Sequence, residues 1–204
     1  MKSVFNKASV STVLAAACWW LWAPVTMAQS PSFDCTEATS GSIEEMICKN
    51  SDLAALDRNL ADVYAAASQK AVNERPPLLK AEQRGWIKGR NDCWKSEAPR
   101  QCVESSYRYR IAELQARYRL VDGNGPITYS CDGDSRNEVV AFFFETDPPT
   151  LIAERGDQVS LMFMEKSASG SRYQGRNESL WEHGREAAIV WGFGSKAMRC
   201  KRTP

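Results

Sequence analysis

Around Val121-Asp122-Gly123-Asn124-Gly125-Pro126 the hydrophobic period of this chain changes, and that change limits the folds open to it more than any other feature. Over residues 33–120 apolar side chains recur at helical spacing. Beyond the change they fall in short runs rich in β-branched and aromatic residues, separated by turn signals. A helix-period pattern does not settle as a strand, nor a strand-period pattern as a helix. The two glycines and the proline read as a linker at 121–126. The chain therefore divides into an all-α helical bundle and an all-β domain.

In the first half, Ser42-Ile43-Glu44-Glu45 has the pattern of a capping box, with Ser42 accepting from the first turn and Glu45 reaching back. That short helix ends near Cys48. Ser51 is placed to cap a second, in which Leu53, Leu56, Leu60, Val63 and Ala67 share a face. Pro76-Pro77 stops it and opens a third carrying Leu78, Leu79, Glu82, Trp86 and Ile87. Val103, Tyr107, Ile111, Leu114 and Tyr118 trace the fourth. In the second half the candidate strands are 127–131, 138–145, 150–155, 158–165, 172–174, 178–182, 187–191 and 197–201. Turns fall at Asp132-Gly133-Asp134, Asp147-Pro148-Pro149, Gly156-Asp157, Gly175-Arg176-Asn177 and Gly192-Phe193-Gly194. Such regular punctuation predicts a small antiparallel barrel or sandwich of about eight strands.

The first 28 residues read as an export signal. Lys2 and Lys7 supply a charged start, the stretch from Val10 to Trp22 carries no charge, and Thr26-Met27-Ala28 offers a small-residue cleavage site before Gln29. Leu14-Ala15-Ala16-Ala17-Cys18 loosely resembles a lipoprotein cleavage box, and lipidation of Cys18 would tether the chain to a membrane. Ala15 stands where such boxes prefer a larger aliphatic residue, so cleavage after Ala28 and a periplasmic location fit better. The mature chain then runs as a helical domain at 29–120 and a β domain at 127–204.

Six cysteines remain after such cleavage, and an even count in an exported chain points to disulfides. The simplest pairing is Cys35–Cys48, Cys93–Cys102 and Cys131–Cys200, the last tying the first strand to the final one. Other pairings stay open to the spacing. With one histidine and no CxxC pair, a zinc site is not expected, and no cofactor is implied. Formal net charge is +1, which gives no reason to expect nucleic acid. Residues 29–120 carry 14 Lys/Arg against 13 Asp/Glu and residues 121–204 carry 10 against 12, so a cationic partner is permitted.

The β half resembles the MliC/PliC family, inhibitors of C-type lysozyme that fold as small β-barrels. The match rests on Tyr129-Ser130-Cys131-Asp132-Gly133, Gln158-Val159-Ser160-Leu161, the segment from Ser169 to Ala188, and Cys200-Lys201. The helical half resembles the LprI-type domain, also linked to lysozyme inhibition. Its carriers are Phe33-Asp34-Cys35 through Ile47-Cys48, Leu53-Ala54-Ala55-Leu56-Asp57, Leu79-Lys80-Ala81-Glu82-Gln83-Arg84-Gly85-Trp86-Ile87, Arg90-Asn91-Asp92-Cys93, and Tyr107-Arg108-Tyr109-Arg110-Ile111-Ala112-Glu113-Leu114.

The resemblance implies a C-type lysozyme as protein partner and a contact rim of Ser169, Gly170, Arg172, Tyr173, His183 and Arg185. In the family a serine of the Ser-Gly-x-x-Tyr motif and a lysine of a second motif enter the cleft. Ser169 falls on the serine, and His183, just before Gly184, stands where the lysine would be. Histidine side chains titrate near neutrality, so inhibition is expected to strengthen below about pH 7. Arg172 or Arg185 is the other source of a cation. Taken without the resemblance, Ser169-Gly170 is an ordinary turn, Tyr173 and Trp181 pack the barrel or its rim, and His183 is surface decoration.

An enzyme is not expected. There is no GxSxG nucleophile elbow, no phosphate-binding glycine loop, and a single histidine for all acid–base work. The competing class is a non-catalytic module binding peptidoglycan or an envelope protein.

Overall fold

The computed structural model describes residues 30–75 and 77–203. The export signal, Cys18 and Pro76 lie outside the described residues. Four helices are followed by eight strands: α1 (Ile43–Lys49), α2 (Ser51–Lys70), α3 (Leu78–Asn91), α4 (Pro99–Arg117), then β1 (Gly123–Cys131), β2 (Asp134–Phe144), β3 (Thr150–Arg155), β4 (Gln158–Glu165), β5 (Ser171–Gln174), β6 (Ser179–His183), β7 (Glu186–Val190) and β8 (Met198–Arg202). Among the described residues no helix is long and apolar enough to cross a membrane.

Local chemistry starts and stops the helices, with two departures from the simplest reading. Ser42 caps α1 by accepting from the Glu45 amide at 3.1 Å. Glu45 reaches back past Ser42, accepting from the Gly41 amide at 2.8 Å. Ser51 is not a cap: α2 begins on it, and Asn50 occupies the cap position without a side-chain cap bond. Asn50 instead donates to the Met46 carbonyl and closes the end of α1. With two helices this close, one residue has to serve as stop and start.

The apolar stripes of the four helices meet in one core built on Ile47, Leu53, Leu60, Val103, Tyr107 and Leu114. A polar network runs through it. Arg90 donates to the Tyr107 hydroxyl at 2.7 Å and to Glu44 at 2.9 Å, and Tyr107 donates to Asp57 at 2.7 Å. Arg90, Asp57 and Tyr107 are all buried, and burial above all pushes the Tyr107 phenol up from its ordinary value. A buried ion is tolerated only where its hydrogen bonds are met. Disulfides Cys35–Cys48 and Cys93–Cys102 staple this half.

The strands close into an antiparallel barrel in sequence order, β8 returning to β1. Alternate residues point inward, among them Tyr129, Val139, Leu151, Met162, Tyr173, Leu180 and Ile189. β1 begins at Gly123, so most of the stretch expected to be a linker is strand. β2 begins at Asp134, four residues before the expected start. The cause is the turn: Asp132 and Gly133 both have positive φ, the two-residue geometry that matches strand twist. Cys131 faces Cys200 across the closing seam, and a disulfide with a sequence separation of 69 joins them. In the chain-entropy picture a loop of that length is worth roughly 4 kcal/mol.

The two halves pack through α4. Ala116 shares a small buried cluster with Phe144 and Ile152. Arg119 lies over Phe142 and Phe144 at 4.3 and 4.9 Å, Tyr109 meets Phe163 at 4.7 Å, and Arg108 pairs with Asp147. These contacts cover part of the outer faces of β2, β3 and β4, with Phe144 and Ile152 buried beneath α4. In a closed eight-strand ring the strands farthest from β2 and β3 are β6 and β7, which leaves their outer face open.

Candidate functional site

Register decides what the β5–β6–β7 end of the barrel shows to solvent. Tyr173 pairs with Leu180 and both point inward, whereas Arg172 pairs with Trp181 and both point out. The outward row continues from Trp181 to Ala188 on β7 and Arg199 on β8. One step nearer the barrel end, His183 pairs with Glu186, and Glu186 with Lys201. Trp181, His183, Ala188, Arg199 and Lys201 line a shallow groove on this face.

Gly184 makes the hairpin that ends β6. Its φ is +63°, and the turn passes directly from His183 to its partner Glu186. Glycine at the first central position is what a two-residue hairpin turn of this kind requires. His183 is thereby fixed at a strand end, exposed, with its ring 4.7 Å from that of Trp181.

The loop before β5 folds back onto this strand end. Trp181 Nε1 donates to the Ser169 carbonyl at 2.9 Å, and the Ser167 hydroxyl donates to the carbonyls of Ser169 and Gly170 at 2.8 and 2.9 Å. Ser169 Oγ then lies 3.0 Å from His183 Nε2. Gly170 is what allows the approach. Its φ is +66°, and a Cβ there would stand 2.2 Å from the Glu182 carbonyl and 3.0 Å from the His183 ring. No side chain fits that gap without moving backbone.

Of the residues expected at the rim, the structure brings Ser169, Gly170 and His183 together. Arg172 is exposed and pairs with Glu165 at 3.7 Å. Arg185 is exposed and donates to the Arg202 carbonyl at 3.3 Å. Tyr173 is not on the rim: it is 5% exposed and packs edge-on against Phe143 inside the barrel. Its phenol is pushed up by burial and secondarily by the charge of Glu182. Glu182 also points inward and accepts from Tyr129 at 2.6 Å. Burial and then that bond push the Tyr129 phenol up as well, so it stays a donor.

Sequence reasoning did not count Trp181 among the contact residues, giving it a packing role in the barrel or its rim, yet it is 40% exposed; it also missed Arg199, which joins the row from β8. Alternation would have placed Trp181 on the same face as His183. Nothing local signals Arg199, because its place depends on the register of a strand closing the ring.

Chemically, a neutral Ser169–His183 pair holds two mobile protons, one used between them and one left for a partner. In either tautomer the pair therefore offers one donor outward. The 3.0 Å separation also suits a nucleophile and its base, but such a base needs a third group to orient it. Among the described residues no carboxylate bonds the far nitrogen of His183.

Two family models match. Residues 129–198 match MliC, described as membrane-bound lysozyme-inhibitor of c-type lysozyme, and residues 35–114 match lysozyme inhibitor LprI. Among curated proteins, Lipoprotein LprI of Mycobacterium bovis and of Mycobacterium tuberculosis are each 30% identical over 159 residues, covering 78% of this chain and 78% of the relative. No solved structure matches the chain.

Proposed function

Because the chain belongs to the LprI family and carries an MliC match across its barrel, we propose that it is a lysozyme inhibitor whose Ser169–His183 rim enters the cleft of a C-type lysozyme. The observation that carries this reading is the 3.0 Å pairing of Ser169 and His183, held exposed by a loop that Gly170 alone can fit.

C-type lysozymes cleave glycan between two carboxyl groups, one kept protonated in an apolar pocket and one ionised. The outward proton of the pair suits the ionised carboxylate. An imidazolium at His183 would add charge, and Lys201, in the same outward row two strands away, is a further cation. The bonds that Trp181 and Ser167 make to the loop order it before binding, which lowers the entropy lost on association. Trp181 and Arg199 beside the pair are of the types that dominate protein interfaces. With α4 packed against the outer side of β2 to β4, the rim lies on the side of the barrel away from the helices.

The family names place the relatives at the cell envelope, which supports export of this chain. Cleavage after Ala28 and lipidation of Cys18 give mature chains of different mass, separable by mass spectrometry of the native protein.

The test is a titration of the mature chain into C-type lysozyme acting on cell walls. Stoichiometric inhibition relieved by an N-acetylglucosamine oligomer is expected. Inhibition indifferent to that oligomer would move the contact out of the cleft, and absence of inhibition would leave a peptidoglycan- or envelope-binding module.

A further inference from the structure

The helical half contains a cleft of about 530 Å³ to which the barrel contributes no residue. The α3 segment builds one wall: Gln83, Trp86, Ile87 and Arg90 recur at helical spacing and all face it. Opposite stand Tyr64 of α2 and Phe33 of the entering chain. Trp86 is held by its indole N–H, which donates to the Ser106 carbonyl at 3.2 Å, and by edge contact with Tyr107.

The charges of the cleft do not balance. Asp34, Glu37 and Glu44 stand along it together with buried Asp57, and among the described residues Arg90 is the one lining cation; it pairs with Asp57 at 4.0 Å and Glu44 at 2.9 Å, which leaves Asp34 and Glu37 without a counter-charge. Arg90 is consumed by Tyr107, Glu44 and Asn91. Glu44 uses only Oε1 in its bonds to Arg90 and Asn91. The Glu37 carboxylate makes no hydrogen bond or ion pair among the described residues. Ile87, apolar yet 39% exposed, lies beside them.

Aromatic walls with uncompensated carboxylates are the chemistry that takes a cation on an aliphatic stem, the methylenes against the rings and the head in the acidic mouth. An anion would be repelled, and a neutral ligand would leave the carboxylates without a counter-charge. We propose that this cleft binds a lysine or arginine side chain of a basic protein segment, at a site separate from the Ser169–His183 rim. The LprI-type motif then has a use beyond folding: Gln83, Trp86 and Ile87 shape the wall while Arg90 and Asp57 fix its floor.

The experiment titrates the ¹⁵N-labelled mature chain with Nα-acetyl-arginine amide and follows the indole N–H signals. The Trp86 signal should move saturably, with a dissociation constant on the order of 1 mM, while that of Trp181 on the barrel stays in place. Glu37→Lys, at an exposed and unpartnered position, should weaken binding at least about fivefold, and Glu37→Gln less. Three results overturn the proposal: a Trp86 signal that does not move, equal movement with Nα-acetyl-glutamine amide, or Glu37→Lys binding as tightly as the parent chain. None depends on lysozyme, so failure here leaves the rim reading intact, and failure of the rim leaves this one intact.

Discussion

In the helical half Asp57, Arg90 and Tyr107 are buried and bonded to one another, whereas in the barrel Ser169 and His183 stand exposed on a loop and a strand end. Both sets come from family-like motifs and both are polar, yet their energetics differ. The buried set is satisfied internally and has little left to offer a partner, so its removal costs stability. The exposed set is held by backbone geometry around Gly170 and Gly184, with bonding capacity to spare, so its removal costs binding. Polar residues in a motif indicate function only where the fold leaves a donor or acceptor unspent.

The largest expected effect breaks the buried side of that comparison. Asp57→Ala removes the acceptor of Tyr107 and Ser32 and the carboxylate that pairs with Arg90 at 4.0 Å, and should destabilise the helical half by about 3–5 kcal/mol, the usual cost of breaking a buried ionic network. Urea unfolding followed by hydrogen exchange in α2 to α4 measures it. At temperatures where the variant stays folded, lysozyme inhibition should change little, and a large loss would tie the helices to the rim.

Next comes the backbone of the exposed side. Gly170→Ala places a Cβ against the Glu182 carbonyl at positive φ, a strain of about 1–3 kcal/mol that the loop can relieve only by leaving His183. Inhibition should fall at least about tenfold. Unchanged inhibition would mean that the Ser169–His183 geometry is dispensable.

Side-chain changes at the rim should cost less stability still. His183→Ala should shift unfolding by under about 1 kcal/mol, as for an exposed hydrogen bond, while weakening inhibition. His183→Lys should preserve or strengthen inhibition and flatten its pH dependence between pH 5.5 and 8, because a lysine ammonium keeps its charge throughout that range. A parent chain with equal inhibition constants at those two pH values contradicts a role for imidazolium.

The smallest effect is alkaline. Burial first, then the Glu74 carboxylate, push Tyr118 up to about 12, above the ordinary value of about 10. The unfolded chain then ionises first, so this contribution is complete below about pH 10 and is lost as pH rises toward 12. Tyr118→Phe should flatten the stability loss over that window, and an unaltered slope would assign it to other groups.

The change of hydrophobic period near residue 121 was enough to separate helices from strands, because 3.6-residue and two-residue repeats leave different traces. Turn chemistry located most hairpins, though Asp132-Gly133 closed tighter than its three polar residues suggested. Ser51 was misplaced because a cap position depends on where the preceding helix stops. At the site, the serine–glycine pair was legible as a turn, whereas the hairpin at Gly184 was not among the turns the sequence marked. Tyr173 was legible as a packing residue from its type alone, but the family motif put it on the contact rim, since motif membership says nothing about which face a strand residue takes. The approach of Gly170 to Glu182 and the row reaching Arg199 depend on register between strands, which no local pattern records.

The most direct measurement compares inhibition of a C-type lysozyme by the mature chain and by its Ser169→Ala/His183→Ala double variant, with thermal unfolding recorded for both. The account predicts one-to-one inhibition by the parent, at least about a hundredfold weaker inhibition by the variant, as for loss of a central hot spot, and nearly unchanged melting. Equal inhibition by a folded double variant would contradict it.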